Sequence, residues 1–170
     1  HPQHSAYFIR RVRSDAKDPL TSFLKDSGFP WEPCVMKPES TVIFSFPMKT
    51  PQGARLREDL SALEHLDLWL TFQRHWCEHK PSVTISVNEN EWPKVGAWTW
   101  ENFDEITGVS YLPMDGGTYR QAPYESIDET TYASMVMEMP NSIDWEQMRE
   151  VTDNVEGAQT LSCTAGGCEI

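Results

Sequence analysis

Cysteine is scarce in this chain of 170 residues, which has four, and only Cys163 and Cys168 lie close together. That spacing does not match the disulfide frameworks of small secreted proteins, so we expect a reducing, cytoplasmic environment. The sequence also lacks an apolar run of about eighteen residues and a charged leader followed by an apolar segment. The sequence therefore predicts that the chain has no membrane span and no signal peptide.

Basic residues are few as well. The chain has 14 lysines and arginines against 26 acidic residues, a net charge of -12. Such a balance disfavours a nucleic-acid surface, because phosphate backbones are bound by excess positive charge. The one basic cluster, RRVR at positions 10–13, is too short to change that conclusion. It is typical either of a solvated strand edge or of a site for a single anion such as phosphate.

Apolar residues are plentiful enough for one packed domain, since 39% of the chain is hydrophobic and seven residues are tryptophan. Apolar periodicity predicts four strands, at 4–13, 41–46, 82–88 and 108–113. Helices are predicted from Pro19 to Gly28 with Asp18 as the cap, and at 54–76, 92–103 and 126–138. This alternation predicts an α/β fold, with a parallel sheet or part of a barrel and right-handed crossovers.

The remaining predictions concern loops, packing residues and the ends of elements. Segments 30–40 and 114–125 are predicted to be loops, and Pro47 is predicted to end the second strand. Aromatic residues of the third helix, including Trp100 and Phe103, are predicted to pack inward. Ser126 is predicted to cap the last helix.

The third predicted strand has two different faces. Val83, Ile85 and Val87 alternate with small polar residues, which are Ser82, Thr84, Ser86 and Asn88. If helices cover the apolar face, the polar face lines a barrel interior that takes a ligand. The alternative is a strand with its polar face in water.

The carboxyl-terminal stretch places Cys163 and Cys168 on either side of Thr-Ala-Gly-Gly, after a polar segment at 153–160. Four intervening residues, two of them glycine, allow the approach that a disulfide requires. So small a ring stabilises little, which favours a working redox pair over a structural disulfide. The alternative is a disordered end with incidental cysteines.

Several separated motifs resemble one family: WCEHKPSVTISV at 76–87, GVSYLP at 108–113 and GGTYRQAPYE at 116–125. HPQHSAYFIRRVR at 1–13 and the ending Cys163-x4-Cys168-Glu-Ile agree with it. Together they resemble the carboxy-terminal part of adenosylcobalamin-dependent, class II ribonucleotide reductases, most of all the monomeric triphosphate-reducing branch and its phage relatives. The resemblance implies half of a ten-stranded α/β barrel at 1–151 and a flexible redox tail at 152–170.

The resemblance also implies a function. Cobalt–carbon cleavage in adenosylcobalamin, bound mainly by the complete enzyme, generates a thiyl radical that activates the ribose of the nucleotide substrate. Cys163 and Cys168 would reduce the active-site disulfide and be reduced in turn by a thioredoxin-like partner, while Thr84, Ser86 and Asn88 would face substrate. The family's radical cysteine has no counterpart here, so we expect no activity without the amino-terminal portion or subunit. Cys34 and Cys77 match no catalytic position and are interpreted as packing residues.

Other hypotheses remain open from the sequence. His75, Cys77 and His79, with the tail cysteines, suggest a non-catalytic zinc-binding or thiol-dependent interaction module, and a free-standing dithiol carrier is a third candidate. Because the chain begins at His1, we expect a split subunit, an intein-separated product or an excised fragment. The sequence leaves both diphosphate and triphosphate substrates possible.

Overall fold

The computed structural model describes residues 1–114 and 119–149, and these residues form an α/β fold. The strands are β1 Tyr7–Asp15, β2 Trp31–Pro33, β3 Thr41–Lys49, β4 Thr84–Val87, β5 Ser110–Pro113 and β6 Tyr124–Ser126. The helices are α1 Pro19–Asp26, α2 Ala62–His75, α3 Trp92–Glu101 and α4 Glu129–Glu138. The predicted α/β class is therefore confirmed, whereas the predicted tail with Cys163 and Cys168 lies outside the described residues.

The strands form two sheets, one of four strands in the order β2-β3-β1-β6 and one that pairs β4 with β5. The predicted parallel arrangement is correct for β4 and β5, where Ile85 lies opposite Tyr111. It is wrong for β1 with β6 and for β2 with β3, which are antiparallel. The described strands do not close into a barrel.

Two short strands were missed in segments predicted to be loops. β2 has three residues and ends at Pro33, and β6 has three residues that follow Pro123. Pro47 was predicted to end the second strand, but β3 continues to Lys49. β2 pairs with β3 only at residues 42–44. Pro47 therefore lies outside the part of β3 that pairs with β2. Its missing N–H removes no hydrogen bond between these two strands.

The chain divides into two compact units. The first consists of His1–Val12 and Ser45–Met137, apart from the four residues that are not described. Its core lies between α2, α3 and the β4–β5 sheet. The buried members are Ala62, Leu66, Trp69, Leu70, Val83, Ile85, Val87 and Val95.

Helix α2 begins later than its apolar pattern predicted. The segment before it contains a 3₁₀ turn, Arg57–Asp59, and Ser61 is the N-cap of the helix. The Ser61 hydroxyl accepts from the Glu64 N–H at 3.2 Å, while the Glu64 carboxylate accepts from the Ser61 N–H at 2.8 Å. This capping box satisfies two helix-end N–H groups and sets the start of α2.

The alternation predicted for β4 is confirmed. Ile85 and Val87 are both 0% exposed, and Val83 is buried beside them. Helix α2 covers this apolar face, and the Trp69 indole N–H donates to the Pro81 carbonyl at 2.7 Å just before the strand. The small polar residues of β4 are thereby directed to the opposite face.

The aromatic residues around α3 follow the prediction only in part. Val95 is buried and Trp98 packs against the core, but Trp100 is 82% exposed and Phe103 is 68% exposed. The inward packing predicted for Trp100 and Phe103 is therefore wrong. The Trp98 indole N–H donates to the Asp67 carboxylate at 2.8 Å, and this hydrogen bond links α3 to α2.

The second unit consists of Arg13–Phe44 and the described residues from Glu138 onward. Its helix α1 begins as predicted, with the Asp18 carboxylate accepting from the Leu20 N–H at 2.8 Å and Pro19 in the first turn. Gly28 follows the helix with φ of 86°, a left-handed conformation that glycine adopts without steric cost.

Helix α4, in the first unit, is shorter than predicted and begins at Glu129. The predicted cap at Ser126 is wrong, since the Asp128 carboxylate accepts from the Thr131 N–H at 2.7 Å. No residue of α4 is fully buried. Among the described residues, no helix is long and apolar enough to cross a membrane.

Candidate functional site

A cleft of about 570 Å³ opens in the first unit, and its lining comes from both sheets and from the segments around them. That volume lies within the usual range for a small-molecule site. The principal lining residues are His4, Phe8, Arg10, Arg57, His65, Thr84, Ser86, Leu112, Tyr119 and Tyr124.

β4 contributes two of the three residues proposed from the sequence to meet substrate. Thr84 and Ser86 line the cleft, because the burial of Ile85 and Val87 against α2 turns their hydroxyls the other way. Asn88 does not line it. Its amide donates to the Glu91 carboxylate at 2.8 Å, in a capping box at the turn that follows β4.

One wall of the cleft carries aromatic rings from β1, from β6 and from the residues that precede β1. The His4 and Tyr124 rings are stacked with centroids 5.6 Å apart, and Phe8 lies 5.9 Å from His4. Burial, followed by the nearby charge of Arg57, lowers the pKa of His4 to about 4. The imidazole is therefore neutral near pH 7, and the positive charge of Arg57 adds to the effect of burial.

Arg10 is held on the same wall by Tyr124. Its Nη1 donates to the Tyr124 hydroxyl at 2.6 Å, and its Cζ lies 5.3 Å from the centroid of the Tyr124 ring. The strand register explains this contact, since Arg10 and Tyr124 are paired residues of β1 and β6. The arrangement orients the guanidinium at the cleft.

A second wall of the cleft begins at Tyr119. Gln121 is 5% exposed and has φ of 61°, which is uncommon for a residue other than glycine. Arg11 holds the next residues, because its N–H donates to the Pro123 carbonyl at 2.8 Å and its Nη1 donates to the Ala122 carbonyl at 3.0 Å. Ala122 and Pro123 both line the cleft.

Sequence reasoning missed His4, Arg57 and Tyr124 as cleft residues. They come from three distant segments, and neither spacing nor periodicity relates them. The basic cluster at 10–13 was the one feature of the sequence that indicated this part of the cleft, since a site for a single anion was one of its two interpretations. Arg10 is the member of that cluster that lines the cleft.

The cysteines are distributed as follows. Cys163 and Cys168 lie outside the described residues. Cys34 is buried in the second unit beside a cavity of about 410 Å³, where backbone hydrogen bonds from Met36 and Lys37 lower the pKa of its thiol. Cys77 is partly exposed.

The proposed zinc ligands do not assemble in the structure. Within residues 1–114 and 119–149, His75, Cys77 and His79 form no group of three metal-ligating side chains. The two tail cysteines that the zinc hypothesis also used are not described. The structure therefore adds no support to the zinc-binding module.

Comparison with known proteins gives relatives of one kind. The adenosylcobalamin-dependent ribonucleoside-triphosphate reductase of Euglena gracilis is 28% identical over 170 residues, which are 99% of this chain and 23% of that protein. The protein of the same name from Lactobacillus leichmannii is 28% identical over 177 residues, covering 100% of this chain and 24% of its own length. This chain thus spans less than a quarter of the curated relatives it matches. No family model matches it.

Comparison of the fold with solved structures gives the same kind of protein. A crystal structure of a B12-dependent, class II ribonucleotide reductase matches with a TM-score of 0.62 at 28% identity, over 84% of this chain and 20% of that one. Because similarity of sequence and of fold involves the same kind of protein, the resemblance stated from the motifs is confirmed. This chain is related, over essentially its whole length, to one segment of the adenosylcobalamin-dependent class II ribonucleotide reductases.

Proposed function

We propose that this chain is the carboxy-terminal portion of an adenosylcobalamin-dependent ribonucleotide reductase, the enzyme that converts ribonucleotides to deoxyribonucleotides. In this proposal the described residues supply one side of the catalytic α/β barrel, and the remaining portion of the reductase supplies the rest. The relatives support this division, since the match covers nearly all of this chain and only 23% or 24% of theirs.

The observation that carries the proposal is the position of β4 at the cleft. Its apolar residues are covered by α2, and its hydroxyls line a space of about 570 Å³. A parallel strand buried on one face and polar on the other is suited to the wall of a barrel that holds a ligand. Thr84 and Ser86 would meet substrate there, whereas Asn88 is engaged with Glu91.

The second part of the proposal concerns electrons. Cys163 and Cys168 form a dithiol near the carboxyl terminus. Reduction of one ribonucleotide consumes two electrons, which the active-site thiols would provide as they form a disulfide. One tail cysteine, as its thiolate, would attack that disulfide to form a mixed disulfide and release one barrel sulfur, which takes up a proton. The second tail cysteine would then lose its proton and displace the other barrel sulfur, so that the barrel regains two thiols and the tail becomes the disulfide. A thioredoxin-like protein would then reduce the tail.

The cofactor of the relatives does not fit the described residues alone. The cleft of about 570 Å³ is of nucleotide size and is smaller than a corrinoid ring with its side chains. We therefore assign adenosylcobalamin to the complete reductase, and no step on this chain is derived through it.

Reconstitution tests the proposal. The chain should form no deoxynucleotide alone and should restore its formation when mixed with the remaining portion of the reductase, adenosylcobalamin and a dithiol. Product is measured by chromatography of radiolabelled nucleotide, with each component omitted in turn as a control. Deoxynucleotide formation by this chain alone, or none by a mixture in which the two portions bind each other, would refute it.

A further inference from the structure

One side of helix α3 is apolar and exposed. Trp92, Gly96 and Trp100 recur every four residues, so they lie next to one another on the same side of the helix. Trp92 is 39% exposed and Trp100 is 82% exposed. The charged residues of α3, Lys94 and Glu101, are seven residues apart and belong to a different side. We call Trp92, Gly96 and Trp100 the α3 surface.

The other side of α3 is occupied within the first unit. Val95 is buried in the core, and the Trp98 indole donates to the Asp67 carboxylate of α2. The Thr99 hydroxyl lies 2.7 Å from the Tyr111 hydroxyl of β5. These contacts fix the rotation of the helix about its axis. The α3 surface is therefore directed away from α2 and from the β4–β5 sheet.

Gly96 is the small residue at the centre of this surface. Its backbone is helical, and a Cβ added there would meet no heavy atom within 4 Å. Glycine in a helix interior lowers stability relative to alanine, so neither helix formation nor packing among the described residues requires it. A glycine between two tryptophans leaves room for another polypeptide to approach the helix closely.

The α3 surface has the composition of a protein contact. Single exposed apolar residues are common on proteins, but neighbouring ones without charge mark a surface that another polypeptide covers. Tryptophan is enriched at such contacts, and its replacement there is among the most costly. The three residues carry no charge, so they suit an apolar partner surface and not an anion.

The lengths of the relatives identify the partner. The match covers 99% of this chain but only 23% of the Euglena gracilis reductase, and the class II reductase structure is matched over 20% of its length. Most of each related protein therefore lies outside the matched segment, on the same polypeptide, where it can cover a surface of that segment. A second copy of this chain is the competing partner.

We propose that the α3 surface is a contact with the remaining portion of the reductase, in which an apolar segment of that portion packs on Gly96 between the two indoles. This inference rests on the proposed function, because it names a surface through which the two portions assemble. It also accounts for the exposure of Trp100, which the sequence pattern placed inward.

Assembly of the two portions tests the surface. The chain is titrated into the remaining portion of the reductase, and the affinity is measured by calorimetry. Trp100→Glu and Gly96→Leu should each weaken assembly by roughly tenfold or more, the usual effect of changing a residue at the centre of an interface. Gly96→Leu should also raise the urea midpoint of the isolated chain, because leucine forms helices better than glycine. A loss of affinity in this variant therefore cannot come from unfolding.

Lys94→Gln is the matched control, since it changes the charge of a different side of the same helix by as much as Trp100→Glu does. Its affinity should equal that of the wild-type chain, and circular dichroism checks that every variant is folded. Because the expected defect is one of assembly, raising the concentration of Trp100→Glu or Gly96→Leu should recover the wild-type rate of nucleotide reduction.

The outcomes separate this inference from the proposed function. If reduction is restored and folded Trp100→Glu and Gly96→Leu assemble as tightly as the wild-type chain, the α3 surface is wrong and the proposed function stands. If both variants lose affinity but even the wild-type mixture forms no deoxynucleotide, the surface stands and the proposed function falls. No binding by the wild-type chain would overturn both. A dimer of the isolated chain in sedimentation velocity, dissociated by Trp100→Glu, would assign the surface to a second copy and overturn the inference.

Discussion

The guanidinium of Arg11 holds the carboxylate of Glu125 at 2.6 Å, between neighbouring strands β1 and β6. The same side chain donates to the Ala122 carbonyl, and it is only 13% exposed. Its Nε is buried and has no hydrogen-bond partner among the described residues. One side chain therefore fixes the segment that forms a wall of the cleft.

Arg11→Met should destabilise the protein by about 2–3 kcal/mol, because it removes a charge-assisted pair and leaves the Ala122 carbonyl without its donor. Urea unfolding followed by tryptophan fluorescence measures the change. Arg74→Met is the control, since the Arg74–Glu105 pair is roughly half exposed on both sides and exposed pairs contribute little to stability. Equal losses in the two variants would show that Arg11 does not hold the wall.

Ser86→Leu should impair nucleotide turnover in the reconstituted enzyme more than it impairs folding. A bulky apolar side chain at this position occupies cleft volume, whereas on a solvent-exposed face it changes stability by no more than about 0.5 kcal/mol. Ser82→Leu is the matched control, because Ser82 precedes β4 and is exposed. Full activity of Ser86→Leu would show that the polar face of β4 contacts solvent and not substrate.

Cys163→Ser or Cys168→Ser should leave the first turnover of a pre-reduced, reconstituted enzyme intact and abolish sustained turnover with thioredoxin. A flexible linker spans about 5–6 Å times the square root of its residue number, which is the reach that the proposed tail requires. Dithiothreitol should partly restore turnover, because it enters the barrel directly. Cys77→Ser controls for the loss of a thiol elsewhere. Normal thioredoxin-driven turnover in both tail variants would exclude the shuttle.

His4 should make stability depend on pH. Its pKa is lowered from 6.5 to about 4 in the folded chain, so between these values the unfolded chain binds a proton that the folded chain does not. The contribution of His4 is complete above pH about 6.5 and is lost as pH falls towards 4. The loss is roughly 1–2 kcal/mol, after discounting for partial exposure.

His4→Phe should reduce this pH dependence in urea unfolding at pH 7 and pH 4.5. A remainder is expected from His65, whose pKa is also lowered by burial. An identical pH profile for His4→Phe and the wild-type chain would contradict the prediction.

Features that depend only on residues close together along the chain could be predicted from the sequence. The cap at Asp18, the alternation of Val83, Ile85 and Val87, and the α/β class each rest on local backbone chemistry or on a period of two or 3.6 residues. The same local reasoning failed for β2 and β6. A three-residue strand beside a proline carries no period, and its hydrogen bonds come from a distant partner.

The sequence by itself determined the resemblance to the reductases, because the motifs are contiguous and occur in order along the chain. It also determined that Thr84 and Ser86 share a face, since side chains alternate along any strand. Only the tertiary structure decided that these hydroxyls meet Arg10, Arg57 and His4 in one cleft without a described carboxylate. The reason is physical: strand pairing and the packing of α2 bring together residues that no spacing in the chain relates, whereas a period can specify only the face on which a residue lies.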